Sequence, residues 1–496
     1  MEFQKAIKKH KTKILLGILL LALVLRIKYN GVNEAVWWDE AEYLAAAKGW
    51  VFGIPYNLGS QRQPILPILV SLFYMLGIVN LNVIKFLVIA LPSVAIVWLT
   101  YLLGKELYDE SIGLIGAFFM SVFWLLLFWT ARFATDVLGV ALGLAAFYFF
   151  WKGYVKEKKK GYLTLTIIFL TLGALTRIGN LMFLTVIAGY LLLTDKLAFL
   201  KKKEFWIGSV IAALIIAPYI IWSSIAHGRA LAFFKGYVGG GAAEAKLAKP
   251  LAFFVLEYFK LYPMQFLFVF FIGGMLTMVG VVLAFDKIIT RKEKRFDADL
   301  FLILMMALPT AYLVFYERNG EPRWLMIMAP AIFFIVGKAL LWIKNQAEKR
   351  IHFYGKTLGV VAILIVLAIG GYAQVREAGQ IIESRKTSFA PVKEAALWMK
   401  NNTNQDEVII NSAVPQNSFY SERKTLGYPR TEEQFEELIK EEKPRYMVLS
   451  IFERSAEYAY SYPQRNQGKL KPVRVYSQPQ DEQPILIIYE FKYQDS

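Results

Sequence analysis

Acidic side chains are concentrated shortly after the first apolar stretch of the chain. Residues 37–43 read Trp-Trp-Asp-Glu-Ala-Glu-Tyr and contain Asp39, Glu40 and Glu42. A helix would present Asp39, Glu42 and Tyr43 together, because residues three and four apart are neighbours on a helix. A carboxylate positioned in this way can take a proton as a general base. The alternative is a helix at the membrane interface whose acids only face water.

A second acid follows an arginine in a narrow polar gap between two apolar stretches. The gap contains Arg132 and Asp136, four residues apart. An acid and an arginine at membrane depth are energetically costly and by default indicate a functional site. The alternative is that these two side chains pair with each other on one helix and do nothing else.

Further arginines lie near the ends of apolar stretches. They are Arg62, Arg177, Arg318 and Arg323. The planar guanidinium fork matches the oxygens of a phosphate group, so these arginines are candidates for holding a phosphate. The alternative is that they pair with nearby acids, for which Asp39, Glu317 and Glu321 are the candidates.

Acids and arginines in this combination predict a particular chemistry. A lipid phosphate can act as a leaving group if arginines neutralise the charge that develops on it. A carboxylate can remove the proton from an attacking hydroxyl group. Transfer of a group from a membrane-anchored phosphate to an acceptor hydroxyl needs these two parts, although the residues alone do not identify the group.

The elements that must position these residues are apolar stretches of membrane-spanning length. The chain is 56% hydrophobic, above the roughly 45–50% of ordinary soluble domains. Most stretches approach the roughly 20 residues that cross a bilayer. We expect about eleven spans, near 14–27, 83–104, 111–131, 136–151, 162–177, 179–194, 205–226, 264–286, 299–316, 324–343 and 356–375. Residues 65–79 are apolar but too few to cross, so we assign them to a loop.

The charge distribution predicts the orientation of these spans. Residues 1–375 contain 39 basic and 21 acidic residues, a net charge of +18, in short clusters between apolar stretches. This is the pattern of basic cytoplasmic loops, so nucleic acid is excluded as a partner. The same alternation predicts a cytoplasmic N-terminus and places loop 28–82 and the tail 376–496 outside. The protein is therefore expected to be a multi-pass protein of the cell membrane.

The tail has the composition of a soluble domain. Residues 376–496 hold 17 basic and 18 acidic side chains. Their patterning predicts a small α/β domain with helices at 391–401 and 431–442 and strands at 408–410, 447–451, 473–476 and 485–491. The chain has no cysteine, which excludes disulfides, thiolate metal sites and cysteine nucleophiles.

Taken in order, the motifs resemble those of the GT-C glycosyltransferases. The resemblance is to the branch of protein O-mannosyltransferases, lipid A aminoarabinose transferases and their archaeal and bacterial relatives, and it covers residues 10–345. It rests on Asp39-Glu40, Gln63-Pro64 with Pro67, Ala131-Arg132 with Thr135-Asp136, Leu175-Thr176-Arg177, and Pro322-Arg323-Trp324 with Pro330. Arg62-Gln63 stands where the family usually has His or Lys before two prolines.

The resemblance implies a fold and an activity. The fold is that of a polytopic helical membrane protein with about 11–13 spans and a small C-terminal α/β domain. The activity is inverting transfer of a monosaccharide from a polyprenyl or dolichyl phosphate to a hydroxyl group of a protein, glycan or lipid. Domain boundaries are expected at 1–375 for the transmembrane catalytic part and 376–496 for the tail.

The resemblance also assigns roles to residues. Asp39 is expected to be the catalytic base, supported by Glu40, and Asp136 with Glu42 forms a second acidic site. The arginines expected to hold the donor phosphate are Arg62, Arg132, Arg177, Arg318 and Arg323. A divalent cation is a candidate cofactor, with Asp39 and Asp136 as its candidate ligands.

Two other classes of protein fit the membrane pattern less well. A transporter of a lipid or anionic substrate typically has paired halves with broken helices at matching positions, and the sequence contains no such pairing. A non-catalytic scaffold that presents the tail leaves the clustered acids and arginines unexplained. The sequence therefore favours the enzyme.

Overall fold

The computed structural model describes residues 2–230, 232, 252, 267–289, 297–317, 321–351, 354–478 and 481–493. The chain forms two compact units, each of which is discontinuous in sequence. The first unit comprises Met1–Gly31, Gln63–Ile65 and Lys85–Glu383. The second comprises Val32–Arg62, Leu66–Ile84 and Ser384–Ser496.

The first unit consists of apolar helices, some of which extend a few residues beyond its limits. They are α1 (Glu2–Tyr29), α4 (Leu81–Leu107), α5 (Glu110–Val122), α6 (Trp124–Thr130), α7 (Thr135–Glu157), α8 (Tyr162–Thr176), α9 (Leu181–Thr194), α10 (Lys203–His227), α11 (Leu267–Ile289), α12 (Asp297–Phe315), α13 (Leu325–Arg350) and α14 (Gly355–Arg385). Each predicted span overlaps one of these helices or the pair α5 and α6, and residues 264–266 of the span predicted at 264–286 lie outside the described residues.

Six of the described helices are long and apolar enough to cross a membrane, and the α5–α6 pair, bent by 51°, would make a seventh. The bend lies at Phe123, whose ψ of 116° is not helical. The freed backbone N–H of Trp124 donates to the side-chain oxygen of Gln374 at 3.2 Å. The prediction of a polytopic helical membrane protein is confirmed, and the count of eleven spans stays a prediction.

The second unit contains a five-stranded sheet with helices on both faces. Its helices are α2 (Trp38–Phe52), α3 (Ile65–Met75), α15 (Ala390–Asn401), α16 (Val414–Ser421), α17 (Glu432–Glu442) and α18 (Glu457–Arg465). Its strands are β1 (Val408–Asn411), β2 (Lys424–Leu426), β3 (Tyr446–Ser450), β4 (Leu470–Gln478) and β5 (Asp481–Phe491). The strand order is β2-β1-β3-β5-β4, with β1 parallel to β2 and β3, and β5 antiparallel to β3 and β4.

The alternation of side chains along the central strands builds two separate cores. Ile409 and Val448 pack on one face of the sheet with helix α15. Ile410 and Met447 pack on the other face with α17 and α18. The predicted small α/β domain is confirmed. Three short elements were not predicted from the sequence, namely α16, β2 and α18.

The apolar residues assigned to a loop form a short helix. Helix α3 has 11 residues and is therefore about 16 Å long, about half the thickness of the hydrocarbon core. All of α3 except its first residue belongs to the second unit. At the other boundary, α14 runs through the predicted limit at residue 375, and the tail's contribution to the second unit begins at Ser384.

Candidate active site

Helix α2 carries the acidic motif, and both of its ends are defined by local chemistry. The side chain of Glu40 accepts a hydrogen bond from the backbone N–H of Trp37 at 3.3 Å, which satisfies a donor at the start of the helix. The helix ends at Gly53, whose φ of 74° is left-handed and whose N–H donates to the carbonyl of Gly49 at 3.1 Å. Glu40 is buried, and this capping bond gives it a structural role.

Arg62 joins two of the acids on this helix. Its Nη2 donates to Oδ1 of Asp39 at 2.6 Å, and its Nε donates to Oε2 of Glu42. The predicted common face of Asp39, Glu42 and Tyr43 is therefore formed, and the guanidinium also lies 5.8 Å from the centre of the Tyr43 ring. Arg62 therefore pairs with acids, which was the alternative to phosphate binding that the sequence left open.

The two carboxylates that Arg62 holds differ in their surroundings. The Asp39 side chain is 45% exposed, whereas that of Glu42 is 13% exposed. Burial raises the pKa of Glu42, and the charge of Arg62 opposes that rise. Asp39 is thus oriented by an arginine and still open to an incoming group, which are the two properties that a general base needs.

The C-terminal part of the second unit holds helix α2 in place. The backbone N–H of Val36 donates to the hydroxyl of Tyr420 at 2.8 Å. Nζ of Lys48 donates to Glu422 at 2.7 Å and to the carbonyl of Phe419 at 3.1 Å. Lys400 also bonds Glu422, at 2.5 Å. The sequence did not predict the contacts of Val36 and Lys48 with the tail, because no local motif connects positions that are more than 350 residues apart.

The second acid lies in the first unit and pairs with an arginine distant in sequence. Oδ2 of Asp136, at the start of α7, accepts from Nη1 of Arg177 at 2.6 Å. The self-pairing of Arg132 with Asp136 considered from the sequence is wrong, because Asp136 bonds Arg177 instead. The Arg177 and Asp136 side chains are only 15% and 8% exposed.

An aromatic ring covers the Arg177 guanidinium. Its central carbon lies 4.9 Å from the centre of the Trp324 ring, a cation–π arrangement. The ring can approach because residue 179 is glycine: a Cβ there would lie 2.4 Å from the Trp324 ring. Three separated sequence motifs, around residues 136, 177 and 324, therefore meet at this pair.

The remaining predicted arginines lie near aromatic side chains or outside the described residues. Arg132 is almost fully buried, and its guanidinium lies 5.5 Å from the Phe128 ring. Arg323 pairs with Glu321 and lies 5.7 Å from the Trp129 ring. Arg318 lies outside the described residues. Arg132, Arg177, Arg323, Asp136 and Trp324 are called the arginine cluster below.

Lys85 was missed in the sequence. It lies near the start of α4, is buried, and donates from Nζ to the carbonyl of Ala131 at 3.0 Å. It is also 6.0 Å from the Phe133 ring, so it borders the segment that carries Arg132. The sequence signal that could have identified Lys85 is its position inside an apolar stretch. A charged side chain at membrane depth is energetically costly and by default indicates a functional site.

Comparison with known proteins bears on both the fold and the activity. A family model described as dolichyl-phosphate-mannose-protein mannosyltransferase matches residues 61–222. No curated protein sequence matches the chain. The apo structure of ArnT from Cupriavidus metallidurans is similar with a TM-score of 0.65 and 13% identity, over 96% of this chain and 98% of ArnT. The chain has the GT-C fold.

Two further structures extend this similarity. ArnT from the same organism bound to undecaprenyl phosphate has a TM-score of 0.61 and 14% identity, over 95% of this chain and 97% of ArnT. The oligosaccharyltransferase from Archaeoglobus fulgidus, in complex with Zn and sulfate, has a TM-score of 0.59 and 14% identity, over 87% of this chain and 67% of its own. With the family match, these findings confirm the predicted class, a membrane glycosyltransferase.

The candidate metal ligands were also compared with what a divalent cation requires. Among the described residues, no three His, Cys, Asp or Glu side chains come together in a group that could hold a metal. Both candidate ligands, Asp39 and Asp136, are hydrogen-bonded to arginine. A hard cation prefers several oxygen ligands, and the described residues do not provide such a set. The metal stays a prediction.

Proposed function

We propose that this glycosyltransferase moves a monosaccharide from a polyprenyl phosphate to an acceptor hydroxyl, with inversion at the anomeric carbon, on the extracytoplasmic face. The observation that carries the proposal is the Asp39 carboxylate, oriented by Arg62 and still 45% exposed. The family match and the undecaprenyl phosphate bound by ArnT support a lipid phosphate as the donor. The basic loops between the spans support the orientation.

In this mechanism Asp39 is the general base. Its exposed carboxylate accepts the proton of the acceptor hydroxyl while the hydroxyl oxygen attacks the anomeric carbon. The bond between that carbon and the phosphate oxygen breaks on the opposite side, and its electrons leave with the lipid phosphate. A single displacement of this kind inverts the configuration. Arg62 keeps the carboxylate oriented, and Glu42 fixes Arg62 from its other side.

The arginine cluster is assigned to the phosphate. A sugar phosphodiester carries one negative charge, and a second develops as the lipid phosphate leaves. Guanidinium groups stabilise that second charge most strongly where water is excluded. Arg177 suits this role because it is largely buried beneath the Trp324 ring. Asp136 would then hold Arg177 in place between turnovers.

The test is transfer by the full-length protein, purified and reconstituted in vesicles with a radiolabelled polyprenyl-phosphate monosaccharide and a panel of acceptors. Asp39→Asn removes the base and should lower the transfer rate by about 10²–10⁴-fold. Donor binding, measured by thermal protection, should be unchanged. The matched control is Asp406→Asn, an exposed acid of the same unit, which should transfer at the wild-type rate.

The outcomes separate the parts of the proposal. Full transfer by Asp39→Asn would remove Asp39 as the base and leave the donor assignment standing. Failure of the wild type to bind any polyprenyl-phosphate sugar would overturn the donor class. Retention of the anomeric configuration in the product would overturn the single displacement.

A further inference from the structure

A cavity of about 250 Å³ lies in the first unit, at the opposite ends of the helices that carry the Asp136–Arg177 pair. Helix α7 begins at Thr135 beside Asp136 and ends at Glu157, and the cavity follows that end. Because α7 has 23 residues, the cavity and Asp136 are separated by about 35 Å along this helix. The cavity is therefore distinct from the Asp136–Arg177 pair.

The cavity is lined by basic and aromatic side chains together with two acids. They are Lys158, Lys159, Lys202, Tyr154, Tyr190, Asp195 and Glu204. The hydroxyl of Tyr154 donates to Asp195 at 2.7 Å, and Lys159 pairs with Glu157 at 2.6 Å. Among the described residues, neither the Lys158 nor the Lys202 side chain forms an ion pair or hydrogen bond. The cavity thus presents two ammonium groups with no protein partner.

The backbone at Lys158 indicates that its position is not incidental. Lys158 ends the helical segment with a φ of 50°, in the left-handed region that helices most often give to glycine or asparagine at this place. Lys202 precedes α10 in extended conformation and is also exposed. Residues 156–160 and 195–204 together hold eight lysines and three acids, so the surroundings are strongly positive.

We infer that this cavity binds the phosphate headgroup of an anionic phospholipid, with Lys158 and Lys202 as its ligands. Basic pockets between membrane helices are suited to such headgroups. The acyl chains would follow exposed apolar side chains of the neighbouring segments, Leu197, Leu200 and Trp206. A soluble phosphate shares the same charge chemistry but would gain nothing from these apolar residues. The inference does not depend on the proposed function.

The competing explanation is that the lysines serve only membrane orientation. Basic loops act through their total charge, so every lysine of the two loops would then contribute alike. A binding site predicts instead that the lysines lining the cavity matter more than their neighbours. The chain offers a matched pair for this comparison, because Lys160 and Lys203 are exposed lysines of the same two loops and do not line the cavity.

The experiment compares Lys158→Gln/Lys202→Gln with Lys160→Gln/Lys203→Gln in the full-length protein. Each protein is placed in nanodiscs of phosphatidylcholine alone or with added phosphatidylglycerol. Retained phosphatidylglycerol is measured by native mass spectrometry and the unfolding midpoint by thermal melting. The cavity variant should bind phosphatidylglycerol roughly 25-fold more weakly than the wild type, because each lysine contributes about fivefold. The control variant should stay near the wild-type affinity.

A soluble arm distinguishes the source of the phosphate. Glycerol 1-phosphate, added to the protein in phosphatidylcholine nanodiscs, should protect the wild type much less than phosphatidylglycerol does. Equal protection would assign the cavity to a soluble phosphate ester and overturn the lipid assignment. Equal losses in the two double variants, or no retention of phosphatidylglycerol by the wild type, would overturn the site. Equal melting points of both variants in phosphatidylcholine establish that both are folded.

Discussion

Each of the two units contains an aspartate–arginine ion pair, and the two pairs lie in different environments. Asp39 accepts from Arg62 in the second unit and Asp136 accepts from Arg177 in the first, each at 2.6 Å. The first of these acids is 45% exposed and the second 8% exposed. A half-exposed pair contributes little to stability and leaves its carboxylate open to an incoming group. A buried pair is costly to break, because the charge that remains is neither paired nor solvated.

The comparison shows that distance alone does not define a role. The half-exposed acid is suited to take a proton, whereas the buried acid is suited to hold an arginine. The sharpest experiments therefore remove one partner of each pair and ask whether stability or activity responds.

The largest effect is expected from Arg177→Met, which leaves the buried Asp136 without its partner. The free energy of unfolding should fall by about 3–5 kcal/mol, as for other buried pairs with one partner removed. Thermal melting of the detergent-solubilised protein measures this change. The double variant Arg177→Met/Asp136→Asn should recover most of the loss. If the double variant is no more stable than the single one, the pair is not the source of the effect.

A smaller effect, on activity, is expected from Arg62→Lys. The single ammonium of lysine keeps the charge but cannot bridge Asp39 and Glu42 as the guanidinium fork does. Transfer should fall roughly tenfold, equivalent to about 1.4 kcal/mol in the activation free energy. The melting temperature should change little, since Arg62 and Asp39 are partly exposed. A large loss of stability with unchanged transfer would reverse the contrast drawn between the two pairs.

The smallest effect is expected from Glu422→Gln, which weakens the contact of α16 with Lys48. Burial would raise the pKa of Glu422, but the hydrogen bonds from Lys400 and Lys48 outweigh it and lower that pKa below 4.5. A carboxylate with a lowered pKa stabilises the folded state above its unfolded pKa, and this contribution is lost as the pH falls. We expect the free energy of unfolding of the wild type to exceed that of the variant by about 0.5–1 kcal/mol at neutral pH.

Chemical unfolding as a function of pH checks this expectation. The difference between the two proteins should be constant above about pH 4.5 and disappear below it. Glu442→Gln is the control, because Glu442 forms a similar pair at 2.7 Å with Lys424 on the sheet's edge strand rather than with Lys48 of α2. It should leave transfer unchanged, whereas Glu422→Gln should lower transfer modestly. Equal transfer in both variants would show that Lys48 does not need Glu422 to position helix α2.

Periodic and compositional signals predicted the fold well. Long apolar stretches predicted where the apolar helices lie, and alternating residues predicted the longer strands of the tail. The short elements α16, β2 and α18 were missed because three to nine residues carry too little periodicity, and α18 contains Pro463. Their stability comes from packing against the sheet, which a local pattern does not record.

The candidate site was predictable in its residue types but not in its pairings. Asp39, Asp136 and the arginines were found because charge near apolar stretches is costly. The bonds from Asp136 to Arg177 and from Tyr420 to Val36 join distant positions, so no spacing rule predicts them. Arg62 was expected to hold phosphate, and only the three-dimensional arrangement shows that it joins two acids.

The hydrogen bond between Val36 and Tyr420 also has a consequence for biosynthesis, since it joins residues 384 positions apart. At synthesis rates of roughly 5–20 residues per second, helix α2 is made on the order of 20–80 seconds before its partner helix. During that interval the spans of the first unit are inserted into the membrane. Helix α2, which carries the acidic motif, meanwhile lacks its contacts with α16. Nascent chains of this protein should therefore be most vulnerable to proteases and most dependent on chaperones at helix α2, until α16 has been synthesised and can pack against it.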